Sequence, residues 1–69
     1  MILEEHLQFL SGNRSDLYTR CQTDSELTPE VYAEINKSLT NANSKQIYNI
    51  NTGALENNPN YNPEDPTNL

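Results

Sequence analysis

The chain has 69 residues, 33% of them hydrophobic and 7% aromatic, and a formal charge of −6. Its fourteen Ile, Leu, Val and Phe residues are a thin supply of core formers, enough for one small domain but not for a deep catalytic cleft between packed layers. Ten acids stand against four scattered bases, Arg14, Arg20, Lys37 and Lys45, which argues against direct nucleic-acid binding by phosphate neutralisation and against anionic membrane surfaces.

Leu3, Leu7 and Leu10 recur at i, i+4 and i+7, flanked by Ile2 and Phe9, and predict a short helix over residues 2–10. Glu4 and Glu5 suit its first turn, where the helix dipole favours acids. Ser11-Gly12 is the expected stop, with the glycine in the left-handed conformation just past the end. Residues 15–22 predict a second, shorter helix capped by Asn13 or Ser15, with Leu17 and Cys21 one turn apart and Tyr18 beside them.

The segment Leu27-Thr28-Pro29-Glu30-Val31-Tyr32 carries the clearest local signal. Thr28 is an N-cap, Pro29 sits where its missing N–H costs nothing, and Leu27 can close over Tyr32 as a hydrophobic staple. Val31, Ile35 and Leu39 continue the stripe, so the helix should run from 28 to about 40 and fail in Asn41-Ala42-Asn43-Ser44.

Gln46-Ile47-Tyr48-Asn49-Ile50 has strand-like composition but could equally be a last helical turn. No second strand-like run follows, so an extended segment here is expected to find its ladder partner on another molecule. From Thr52 onward the chain is rich in Asn and Pro, which favours extended or polyproline-like backbone and disorder in isolation. The asparagine count, eleven in 69, reads first as codon bias and not as selection.

Few residues carry chemistry. Cys21 and His6 form the sole nucleophile–base pair; the expectation is a surface histidine and a half-buried packing cysteine, and no catalytic residue. One Cys and one His are too few for zinc. Asn58, Asn60, Asn62 and Glu64 alternate as oxygen donors but lack the glycine, leading aspartates and bidentate glutamate of a calcium loop, so no metal or cofactor is expected. Asn58-Pro59-Asn60-Tyr61 matches a phosphotyrosine-binding-domain peptide pattern, as composition alone would produce. The sequons Asn13-Arg14-Ser15 and Asn36-Lys37-Ser38 are expected to be unused, since the chain shows no signal peptide or apolar span and reads as cytoplasmic, or virion-borne if viral.

Asp24, Glu26, Glu30 and Glu34 form an acidic run in which carboxylates four residues apart sit about 6 Å from one another on a helix. Ordinary solvation explains such a run, and so does a basic partner.

The expected fold is therefore all-α, two or three short helices in a head of residues 1–44 with an extended or disordered arm over 45–69. Leu3, Leu7, Leu10, Leu17, Val31, Ile35 and Leu39 form the expected core, with Phe9, Tyr32 and Cys21 at its edge. So small a core is marginal alone and implies a protein partner or self-association. The expected function is a non-enzymatic accessory or structural subunit docking on a larger assembly, for example a viral particle or connector, through its head and arm. The partner-binding residues would be Asp24, Glu26, Glu30, Glu34, Ile47, Tyr48, Ile50 and Tyr61. The alternative is a small acidic inhibitor from a mobile element that occupies the basic groove of a nucleic-acid-handling protein.

Overall fold

A computed structural model describes residues 2–22 and 27–66. Its elements are α1 (Glu4–Asn13), α2 (Ser15–Gln22), α3 (Pro29–Asn41), β1 (Gln46–Tyr48) and β2 (Leu55–Asn57). The fold is thus mixed, helices plus a two-stranded antiparallel sheet, and not all-α.

α3 forms as its local signals dictate. The Thr28 hydroxyl accepts the Val31 N–H at 3.3 Å, and Pro29 opens the first turn. The far end closes as a Schellman motif: Ser44 N–H reaches Leu39 C=O at 3.0 Å and Asn43 N–H reaches Thr40 C=O at 3.0 Å. Asn43 takes the left-handed conformation there (φ 54°), a position where asparagine substitutes for glycine.

α1 departs from expectation at both ends. It begins at Glu4 and continues through Gly12, which is helical and not a left-handed stop. The turn comes at Arg14 (φ −144°), whose N–H bonds Leu10 C=O at 2.7 Å and whose own C=O accepts the Tyr18 N–H at 3.0 Å, so one residue ends α1 and starts α2. The buried stripe is also rotated. Ile2, His6 and Leu10 face inward, while Leu3 and Leu7 are only half-buried. An apolar count overlooks this face because its middle position is a histidine.

The chain after α3 supplies its own strand partner. Gln46 pairs with Asn57, Ile47 with Glu56 and Tyr48 with Leu55. The connecting turn is built by Asn49, whose Oδ1 accepts the N–H groups of Asn51 (2.8 Å) and Thr52 (3.1 Å). Gly53 follows at φ 76° and donates its N–H to Asn49 C=O at 2.7 Å; Asn49 N–H bonds Ala54 C=O at 2.8 Å. The expectation of a ladder partner on another molecule fails for residues 46–48. Leu55-Glu56-Asn57 has no β-branched or aromatic residue and gives no strand signal by itself; the turn and β1 impose its conformation.

Beyond the hairpin the arm folds back in two consecutive Asn-Pro turns. In the first, Asn58 Oδ1 accepts the Asn60 N–H (3.0 Å) and Asn58 C=O the Tyr61 N–H (3.2 Å). Asn62 repeats both contacts with Glu64 (3.0 Å) and Asp65 (3.2 Å). Asn43 clamps the second turn to the end of α3, its Nδ2 donating to Asn62 C=O (2.7 Å) and its Oδ1 accepting the Asn62 N–H (2.8 Å). The arm through residue 66 is neither extended nor disordered, because asparagine side chains replace the backbone partners that prolines deny it.

The buried core is Ile2, Leu10, Leu17, Val31, Ile35, Leu39 and Tyr48, edged by Leu7, Phe9, Tyr18, Cys21, Leu27, Tyr32 and Ile47. Tyr48 is 1% exposed and packs between helices and hairpin, against its assignment to a partner surface.

Candidate functional site

Two features concentrate the chain's polar chemistry. One is a buried hub joining α1 to β1, the other the open edge of the hairpin.

The hub is centred on His6, 1% exposed. Its Nδ1 lies 2.6 Å from Tyr48 Oη, which also accepts the Leu3 N–H at 2.9 Å. Its Nε2 lies 3.3 Å from Ser44 Oγ, itself 0% exposed at the residue level, and that hydroxyl donates to Gln46 C=O at 2.6 Å. The imidazole and phenol rings meet edge-to-face, with centroids 5.4 Å apart. The expected surface histidine is therefore buried.

With a neutral ring, these contacts assign one tautomer. Ser44 has committed its hydrogen to Gln46 C=O, so Nε2 must carry the N–H that Ser44 Oγ accepts. Nδ1 is then the ring's acceptor, so Tyr48 Oη–H donates to it while Tyr48 Oη accepts the Leu3 N–H. The neutral ring is thus protonated at Nε2. Burial lowers the His6 pKa from its ordinary 6.5, partly opposed by the Glu5 carboxylate. Burial also raises the Tyr48 pKa, opposed by its hydrogen bond from Leu3. A serine, a histidine and a tyrosine in series resemble a nucleophile chain, but the histidine donates toward the serine instead of accepting its proton.

Asn36 on α3 fixes the other side of β1. Its Nδ2 donates to Tyr48 C=O at 2.6 Å and its Oδ1 accepts the Tyr48 N–H at 2.9 Å. Hydrogen bonds link Asn49 to Ala54 and Lys45 to Asn58, so by antiparallel alternation Ile47 bonds Glu56 while Gln46 and Tyr48 point away from β2. Asn36 covers Tyr48, and Ser44 bonds both the N–H (3.3 Å) and the C=O (2.6 Å) of Gln46. The outer edge of β1 is closed.

β2 differs. Leu55, Glu56 and Asn57 are all exposed, and the backbone groups of Leu55 and Asn57 face outward. Ile50 (41% exposed) and Leu55 (39%) flank the turn and are the large apolar side chains left in solvent among the described residues.

The sequence-nominated residues separate widely. Asp24 and Glu26 lie outside the described residues. Glu30 and Glu34 are exposed on α3, but Glu34 stands 3.6 Å from Arg14, which pairs with Asp16 at 3.0 Å. That pairing raises the Arg14 pKa and lowers that of Asp16. With Lys37, these residues line an open groove of about 590 Å³ over Leu17 and Val31, so the acidic stripe is interrupted by cations. Ile47 is half-buried against the core, and Tyr61 is half-buried with Lys45 Nζ 6.0 Å from its ring centroid. Asn58 of the Asn-Pro-Asn-Tyr motif is 6% exposed, its Nδ2 held by Ser44 C=O at 2.8 Å, so the motif belongs to the fold. Cys21 is half-buried, and burial raises its pKa. Among the described residues no acid, His and Cys cluster could hold a metal, and no helix is long and apolar enough to cross a membrane.

The hub and Asn36 escaped sequence reasoning because the contacts of His6 span 38 and 42 positions and those of Asn36 span 12. The histidine at i+4 from Ile2 and i−4 from Leu10 was the available signal. Comparison with family models, curated proteins and solved structures finds no match for this chain.

Proposed function

We propose that the protein is a small non-enzymatic subunit that docks on a larger protein through the open β2 edge of its hairpin. The observation that carries this reading is the open edge of β2, with Leu55 exposed on it and Ile50 exposed in the adjoining turn, while the edge of β1 is closed. A partner strand laid on β2 would meet the outward N–H and C=O groups of Leu55 and Asn57, each bond contributing about 1 kcal/mol net. Burial of the two aliphatic side chains would add about 25 cal/mol per Å². Pro59 has no N–H and ends the edge, so the partner strand is short and side chains carry most of the affinity.

The partner is a different protein bearing Lys or Arg opposite Glu56. Two copies of β2 paired antiparallel with Leu55 facing Asn57 would set Glu56 against Glu56 in chains already at −6. The buried hub offers no hydroxyl poised for attack, which supports a non-enzymatic role. The inhibitor alternative is weakened by Arg14 and Lys37 within the acidic stripe.

The test is affinity capture from cells that make the protein, comparing wild type, the double variant Ile50→Asp/Leu55→Lys, and Glu30→Lys/Glu34→Lys. The docking reading expects the hairpin variant, with unchanged helical circular dichroism, to lose the proteins that wild type retains. Retention by the hairpin variant and loss by the helix variant would reverse the assignment in favour of the acidic inhibitor.

A further inference from the structure

We propose that His6 is an acid-sensitive latch: as a neutral ring it ties the hairpin to α1, and a second ring proton releases that tie. The argument starts from hydrogens. In the neutral state every polar atom around the ring has a partner: Nε2–H to Ser44 Oγ, Tyr48 Oη–H to Nδ1, Leu3 N–H to Tyr48 Oη and Ser44 Oγ–H to Gln46 C=O. Protonated histidine has two donors and no acceptor. An N–H at Nδ1 would face the phenol oxygen at 2.6 Å, and the phenol hydrogen would lose its acceptor inside a 1%-exposed side chain. The same proton would put a charge in a site where it has no carboxylate ligand within hydrogen-bonding distance.

Between pH 5 and 8 the groups that bear on the ring come from each neighbouring element. On α1, Glu5 acts on it through its charge and reduces the cost of protonation without abolishing it. From β1 it faces Tyr48 and from the segment after α3 Ser44. Tyr32 on α3 packs against Tyr48, centroids 6.3 Å apart, and Cys21 on α2 acts on Tyr48. The Cys21 thiol and Tyr48 phenol are both shifted upward and stay neutral in this range.

The direction follows from linkage. A histidine whose folded-state pKa lies below its unfolded value contributes stability that is fully present above about pH 6.5 and is lost as pH falls through the folded pKa. The hub contacts run to residues 44–48, so the hairpin should loosen first, while α3, with Val31, Ile35 and Leu39 in the core, holds longer.

The experiment is ring-nitrogen NMR of the full chain, titrated from pH 8 to pH 4.5, with amide hydrogen exchange at pH 7.5 and 5.5. The expected result is an Nε2–H tautomer, a titration midpoint below 6.5, and earlier loss of protection at residues 46–57 than in α3. The Nδ1–H tautomer, a midpoint at or above 6.5, or simultaneous loss of protection in hairpin and α3 would each overturn the proposal. Tyr48→Phe removes the phenol hydrogen and should move the His6 midpoint upward. His6→Gln should flatten the fall in urea midpoint between pH 7.5 and 5.5. If that variant does not fold, the wild-type and Tyr48→Phe titrations decide.

Discussion

Asn36 offers the sharpest test of how the hairpin is held. Its amide supplies both partners of the Tyr48 backbone, at 2.6 and 2.9 Å, and Asn36→Ala leaves one donor and one acceptor unpaired in a half-buried site. An unsatisfied buried polar group costs about 1–3 kcal/mol, and partial access of water keeps the pair near about 2–4 kcal/mol. A folded chain of this length holds about 3–10 kcal/mol in total, so the melting midpoint should fall by about 8–30 °C. Asn36→Asp sharpens the test. The carboxylate still accepts the Tyr48 N–H but turns a second oxygen on Tyr48 C=O, which raises the pKa of the new acid above its ordinary value of about 3.9. Protonation restores a donor, so relative to wild type at the same pH this variant should be least stable near pH 7 and should recover as pH falls toward 4. Urea unfolding followed by circular dichroism measures both variants. A loss under about 0.5 kcal/mol for Asn36→Ala, well below the cost of one orphaned group, or an Asn36→Asp deficit that does not shrink in acid, would refute the reasoning.

Other substitutions probe other joints. A Cβ at Gly53 would come within 2.5 Å of Tyr32 Oη at a backbone φ of 76°, so Gly53→Ala should destabilise the chain, and combining it with Tyr32→Phe should cost less than the two changes summed in a thermal double-mutant cycle. Thr28→Ala removes the α3 cap and should cost about 1 kcal/mol in urea unfolding. Ile35, 0% exposed at the centre of α3, should lose about 2–5 kcal/mol on truncation to Ala, which in so small a chain threatens folding itself. Asn43→Gly keeps the left-handed turn but drops both bonds to Asn62, so amide exchange should quicken at residues 62–66 while α3 retains its protection.

The helices were legible because their causes are local. Thr28, Pro29 and the Val31-Ile35-Leu39 stripe act within α3, and its boundaries followed to within a residue. Gly12 misled because a glycine can end a helix or sit inside one, and the turn was decided one step later by Arg14 bridging Leu10 and Tyr18. The arm misled for a related reason. Asn and Pro are common to disordered tails and tight turns, and the difference lies in whether an anchor such as Asn43 meets the turn across 19 residues.

The candidate site was less legible still. Ile50 was nominated from composition and is exposed, but Leu55 belongs to a strand with no signal of its own, and Tyr48 was placed on the wrong side of the protein–solvent boundary. An aromatic residue in a strand-like run suits a docking edge or a core equally well; Asn36 and His6 decided between them.

By itself the sequence determined the charge, the scarcity of apolar side chains, two or three helices and the cap that starts α3. Charge and composition are sums over the chain, and the helices and their cap depend on neighbours within four residues, where spacing along the chain translates into proximity in space. Only the tertiary structure decided that the asparagines replace a sheet edge, a helix cap and two turns, that His6 is buried, and that β2 is the edge left open. Each of these depends on hydrogen bonds between distant residues, whose geometry exists only once the chain has folded.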